Sequence, residues 1–170
     1  MHPAYGAGHA TVAGGCVTML KAFFKMFGDD GQELPLFGAG DCTAYEASPT
    51  GTHLTQTTAS KPLTIQGELD KLAANIAIGR NMAGVHYYSD YFDSLRMGER
   101  VAVGILLEQA ATYAEPVSVS FTSFDGDALT IEGTPASSHD TCDSTSRVNF
   151  VIKDKEGNVV TQEAWWNRHV

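Results

Sequence analysis

"GRNMAGVHYYSD", residues 79–90, lies between two amphipathic stretches and decides how they are joined. Ahead of it, Leu69, Leu72, Ala73 and Ile76 recur at helical spacing and predict a helix from about Thr64 to Met82 with those side chains inward. Behind it, Phe92, Leu95, Ala102, Ile105 and Leu106 predict a second helix from about Ser89 to Ala114. Gly84 stands where the first helix should end, because glycine enters the left-handed backbone region that turns a chain out of a helix. His86 then falls in a short loop and Asp90 near the start of the next helix.

Moving outward, Val12, Cys16, Met19, Phe23 and Phe27 form a stripe that predicts an earlier helix from about Ala10 to Phe27, stopped by Gly28 and the acidic turn after it. Residues 29–63 are rich in Gly, Pro, Thr and Ser and read as a long surface excursion. Beyond Pro116 the period shortens toward alternation. Val117–Phe121 and Ala128–Ile131 flank Asp125-Gly126-Asp127, and Arg147–Ile152 and Val159–Thr161 flank Glu156-Gly157-Asn158, so two hairpins are expected. The fold class is therefore mainly α: one domain over residues 1–170, helical through 115, with a small β-hairpin appendage over 116–170.

Bulk properties narrow the function. The 170 residues carry 20 acidic against 11 basic side chains, a formal charge of −9, which argues against a nucleic-acid surface because phosphate binding needs clustered Lys and Arg. No apolar run reaches the roughly 18 residues of a membrane span, and no signal-peptide pattern is visible. Cys16, Cys42 and Cys142 form no CxxC, so neither a zinc site nor a disulfide framework is indicated. Cys16 reads as a small core residue, and a Cys42–Cys142 bridge stays open.

The informative anomaly is polar. Extending the stripe of Leu69, Ala73 and Ile76 by one turn reaches Arg80, a permanent cation where an apolar residue is expected. It either snorkels outward, pairs with a carboxylate, or serves an anion. His9 intrudes in the same way at the head of the first stripe, ahead of Val12 and Cys16. Asp90, four residues after His86, either fixes the tautomer of that imidazole or complements the helix dipole.

Gly8-His9-Ala10, followed by Arg80-x-x-x-Gly84-x-His86-x-x-x-Asp90, resembles the second and third signature motifs shared by the vanadium-dependent haloperoxidases and the type 2 phosphatidic-acid and acid phosphatases. "HPAYGAGHATVAG", "GELDKLAANIAIGRNMAGVHYYSDY", Gly98-Glu99 and "VSVSFTSFDGDALTIEG" resemble the C-terminal portion of the bromoperoxidase branch. The resemblance implies part of a haloperoxidase-type helical bundle with vanadate as cofactor, and hydrogen peroxide, a halide (bromide above all) and small organic acceptors as substrates. It implies that His86 gives the axial nitrogen to vanadate, that His9 is the acid–base group, that Arg80 and the Gly8 N–H hold the oxyanion's oxygens, and that Asp90 orients His86. A guanidinium fork, helix-start N–H groups and a neutral imidazole are also what an oxyanion requires chemically.

The sequence departs from the family pattern in three places. An upstream motif bearing a lysine and an arginine is not in this chain, and Lys21, Lys25 and Lys61 lie in the wrong order to replace it. Ala7 stands where a serine hydroxyl would bond the oxyanion, and Tyr88 where algal relatives often carry an arginine. "HPAYGAGHA" is accordingly expected to be the second motif of a longer chain. Apolar surface at Val12, Phe23 and Ile76 should then lie open and favour homo-oligomerisation or association with the remaining part. Two further readings share the pocket: a phosphomonoesterase in which His86 attacks the ester and His9 protonates the leaving group, and an inactive anion-binding or oligomer-forming remnant. His2 is a candidate for tuning His9; His53, His139 and His169 have no assigned role. The compartment stays open, although the peroxide-using family is often found in the cell envelope or outside it.

Overall fold

A computed structural model describes residues 5–59, 61–113, 115–134, 147–153 and 158–166. Three helices carry the frame: α1 (Gly8–Phe23), α2 (Ile65–Met82) and α3 (Tyr88–Thr112). The expected mainly helical class with a β appendage is what the chain adopts. α2 and α3 fall within two residues of their expected ends, and Gly84 turns the chain between them at φ +72°. Its N–H bonds the Asn81 carbonyl while the Val85 N–H reaches the Arg80 carbonyl, which closes the end of α2.

Helix α1 differs from expectation in two respects. It stops at Phe23, not at Gly28; the Phe24 N–H makes the last helical bond, to Leu20, and Phe24 itself is extended. Its buried face is Ala10, Ala13, Gly14, Val17, Thr18 and Lys21, whereas Val12, Phe23 and Cys16 are exposed, so Cys16 is no core residue. The cause is backbone proximity. A methyl group on Gly14 would run into the Leu95 carbonyl, and one on Gly98 into the Thr11 carbonyl, so the glycine-bearing face of α1 is the one that can approach α3. The large side chains are left on the far side. Similarly, α2 buries Ala73 and Ala77 while Leu72 and Ile76 stay about half exposed, as the expectation of uncovered apolar surface at Val12, Phe23 and Ile76 requires.

The excursion contains structure that its composition did not suggest. β1 (Pro35–Phe37) pairs with β4 (Leu63–Thr64), and β2 (Thr43–Ala47) pairs antiparallel with β3 (Leu54–Thr58) in a ribbon whose residues are mostly exposed. Thr64 closes the excursion onto α2: its hydroxyl accepts the Gly67 N–H at 3.0 Å and donates to Glu33 at 2.7 Å. At the C-terminal side, β5 (Val117–Thr122), β6 (Ala128–Thr134), β7 (Arg147–Lys153) and β8 (Val159–Trp166) form one four-stranded antiparallel sheet in sequence order, so the two expected hairpins are joined by β6–β7 pairing. Phe121, Leu129 and Ile131 of this sheet pack against Val103, Leu107, Ala110 and Ala111 of α3 and against Met26. A separate cluster of Ala7, Ala10, Ala13, Val17, Ala73, Ala77 and Leu95 joins the three helices.

Between the clusters lies a buried polar network. Lys21, fully buried, reaches Asp70 at 2.6 Å and the Thr122 carbonyl at 2.9 Å, and its ammonium lies 4.3 Å from the centroid of the Phe124 ring. Gln66 donates to Asp70 and accepts the Thr122 N–H, and the Glu99 carboxylate accepts the Phe124 N–H at 3.1 Å. The network fastens the β5–β6 turn to all three helices. It also accounts for Lys21, which belongs to this network and to no oxyanion-binding group. Cys142, His2, His139 and His169 lie outside the described residues.

Candidate active site

The N-terminus of α1, the last turn of α2 and the first turns of α3 meet at one end of the helical layer. Ala7, the residue ahead of α1, offers no side-chain oxygen to the N–H groups of the first turn, and a side chain on Gly8 would meet nothing within 4 Å. Backbone donors and the positive end of a helix dipole are therefore presented at an open position.

His9 and His86 come together there. Their rings stack with centroids 5.2 Å apart and planes 27° from parallel, although they are 77 residues apart in sequence (86 less 9). His9 is half-buried, and its Nε2 lies 3.0 Å from the Ala77 carbonyl. A carbonyl can only accept, so Nε2 carries the hydrogen and Nδ1 is the nitrogen that can take up a proton. This bond makes His9 a structurally tethered histidine and also fixes which nitrogen keeps its lone pair.

His86 is largely buried and its Nδ1 faces Asp90 at 3.6 Å. That carboxylate is itself buried and accepts the Tyr87 N–H at 3.1 Å, so Asp90 both closes the start of α3 and sits against the imidazole. The two readings of Asp90 are thus compatible. A carboxylate on the Nδ1 side of the ring favours the tautomer that carries its hydrogen there.

Arg80 does not continue the buried stripe of α2; it is exposed. The packed positions on that helix are Ala73 and Ala77, and the carbonyl of Ala77 holds His9. Arg80 is one turn further on, at the same end of the helix, on its exposed surface.

Two contributors escaped the sequence reading. The Ala77 carbonyl carries no side-chain signal at all. Ser94, buried on α3, accepts the Ala7 N–H at 2.9 Å; its spacing of four from Asp90 puts it on the same helix face, a pattern readable only once Asp90 is known to face His86. Around the site Tyr5, Tyr87 and Tyr88 are exposed, and the Tyr5 hydroxyl donates to Asp93, a hydrogen bond that, with the charge of that carboxylate, raises its pKa above the ordinary phenol value. Among the described residues no cluster of metal-ligating side chains occurs, and no helix is long and apolar enough to cross a membrane.

No family model matches the chain. Curated proteins do. A vanadium-dependent bromoperoxidase of Corallina pilulifera is 50% identical over 130 residues, 76% of this chain and 20% of that protein. One of Corallina officinalis is 48% identical over 130 residues, again 76% of this chain and 20% of the relative. One of Ascophyllum nodosum is 37% identical over 130 residues, 75% of this chain and 21% of the relative. The chain thus spans about a fifth of the length of the curated relatives it matches. Identity of this extent reflects common descent, and over three quarters of its length the chain is kin to one segment of the vanadium-dependent bromoperoxidases.

Proposed function

We propose that this chain supplies part of the site of a vanadate-dependent haloperoxidase, which oxidises halide with hydrogen peroxide to a species that halogenates small organic acceptors. The observation that carries the reading is the stacked His9–His86 pair beside the open N-terminus of α1, with Asp90 behind His86. This donor set fits an oxyanion: a neutral imidazole lone pair for its central atom, and N–H groups with room around them for its oxygens. The relatives' name points to bromide as the halide.

Each residue then has a task. His86 would hold the oxyanion's central atom through its imidazole, and Asp90 would orient that ring. The Gly8 N–H and the Arg80 guanidinium would donate to its oxygens; the exposed Arg80 can swing to an anion arriving from solvent at a modest entropic cost. His9 moves a proton at Nδ1 while Ala77 holds its other nitrogen. Vanadate, when bound, supplies a Lewis acid that polarises peroxide for attack by halide without a change in its own oxidation state. Halogenation of a phenolic dye should require added vanadate and bromide and fall at least about a hundredfold in His86→Ala. Activity unaffected by that substitution would overturn the assignment.

A homo-oligomeric or larger assembly is part of the same proposal. An apolar groove of about 910 Å³ runs between α1 and α3, lined by Val12, Cys16, Leu20, Phe23, Val101 and Ile105 among others. Continuous apolar surface of this kind favours association. Sedimentation should show oligomers of the isolated chain; a stable monomer would count against the assembly.

A further inference from the structure

We infer that Ser94 is a positioning residue of the oxyanion site, its buried hydroxyl keeping the start of α1 in register with His86. The inference rests on the reading just given. Ser94 is 3% exposed and accepts the Ala7 N–H at 2.9 Å. Ala7 is itself fully buried and immediately precedes Gly8 and His9, so this bond locates the backbone that presents both.

The other half of the site hangs from the same helix face. Asp90, one turn before Ser94, faces His86 and accepts the Tyr87 N–H. Successive turns of a rigid helix lie about 5.4 Å apart, so α3 acts as a ruler: Asp90 holds the imidazole and Ser94 holds the helix start that meets it. The tether from Tyr5 to Asp93 beside them is solvent-exposed and correspondingly weak. Ala7 and Gly8 have no polar side chain with which to find the position by themselves. Without the Ser94 hydroxyl, the Ala7 N–H would be buried with no acceptor, and the first turn of α1 would open to satisfy it from water. Opening moves His9 away from His86.

The test uses Ser94→Ala, with Ser94→Thr and Ser94→Val as a matched pair that keeps and removes the hydroxyl at similar volume. Orthovanadate affinity is read by calorimetry and amide hydrogen exchange along the chain. Ser94→Ala and Ser94→Val should bind orthovanadate about tenfold more weakly and exchange about tenfold faster at residues 7–11, with residues 17–21 unchanged, while Ser94→Thr keeps native behaviour in both. If Ser94→Ala does not fold, the Thr and Val variants decide. A remote core variant, Phe121→Leu, should lower stability without accelerating exchange at 7–11. Native exchange in Ser94→Val, a threonine variant no better than the valine one, or the same acceleration in Phe121→Leu would each overturn the inference. An unsubstituted protein that binds no orthovanadate would instead overturn the reading under Proposed function, and exchange at 7–11 would still judge whether Ser94 sets the register.

Discussion

Helix α1 carries a polar cluster at each end, and the two are built in opposite ways. At its C-terminal end Lys21 is fully buried and saturated by Asp70, the Thr122 carbonyl and the Phe124 ring. At its N-terminal end His9 and His86 stack at the edge of solvent, beside helix N–H groups that receive no side-chain cap. Closed polar networks specify a fold, since every member costs free energy when its partner is removed. A cluster at the edge of solvent can be reached by a ligand. The same three helices therefore hold a fastening at one end and the candidate site at the other, and substitutions should separate the two.

The largest effect is expected where the ends are joined. Gly98→Val would drive a side chain into the Thr11 carbonyl and force α1 off α3, lowering stability by about 3 kcal/mol or more in urea denaturation and abolishing orthovanadate binding with it. Wild-type stability in this variant would show that close approach of the backbones is not what binds these helices. Lys21→Met comes next. It takes the ammonium from Asp70 and from the Thr122 carbonyl, and because Asp70 is partly solvated and both keep Gln66 as a donor the loss should be about 2 kcal/mol, with the fold of the N-terminal site retained. A fall in orthovanadate affinity larger than the fall in stability would break the separation proposed here.

Glu99 sharpens the contrast through pH. Burial raises its pKa from 4.5 to about 7, against the opposing pull of Lys21 and of the Phe124 N–H. A carboxyl whose folded pKa lies above its unfolded one contributes stability that is complete below pH 4.5 and is lost as pH rises through about 7. Stability should accordingly decline from pH 5 to pH 8, by on the order of 2 kcal/mol, and Glu99→Gln should flatten the decline while still accepting from Phe124. A slope unchanged in Glu99→Gln would remove Glu99 as its source. The smallest effect is at the entry to α2, where Thr64→Ala removes a cap and should cost about 1 kcal/mol in thermal unfolding without touching either cluster.

Much of this arrangement was legible in the chain itself, and the misses share one cause. The turn at Gly84 and the ends of α2 and α3 follow from local spacing, because a helix stop and a helix start confine what lies between them, whereas the meeting of His9 with His86 is implied by the resemblance of their two motifs to one family and by no spacing. The facing of α1 did not follow. Periodicity located the large apolar side chains of Val12, Cys16 and Phe23, but the packed face is the one whose glycines let two backbones touch, and size alone points to the wrong side. Arg80 is exposed, in line with the outward of its readings, because the stripe that leads to it through Ile76 is itself half exposed. Residues 29–63 read as irregular because short exposed strands lack the alternation of a half-buried sheet, and the β6–β7 pairing is a long-range choice that no single hairpin encodes. Ser94 and the Ala77 carbonyl contribute through backbone bonds, which leave no trace in residue type.

The central claim is that one oxyanion is gripped jointly by residues of α1, of α2 and of the loop that leads into α3. Titrating orthovanadate into the protein and into His9→Ala, Arg80→Ala and His86→Ala by calorimetry addresses it directly. Saturable binding of one anion, lost in His86→Ala and at least about tenfold weaker in each of the others, is the expected result. Equal affinity in all four proteins would contradict the account.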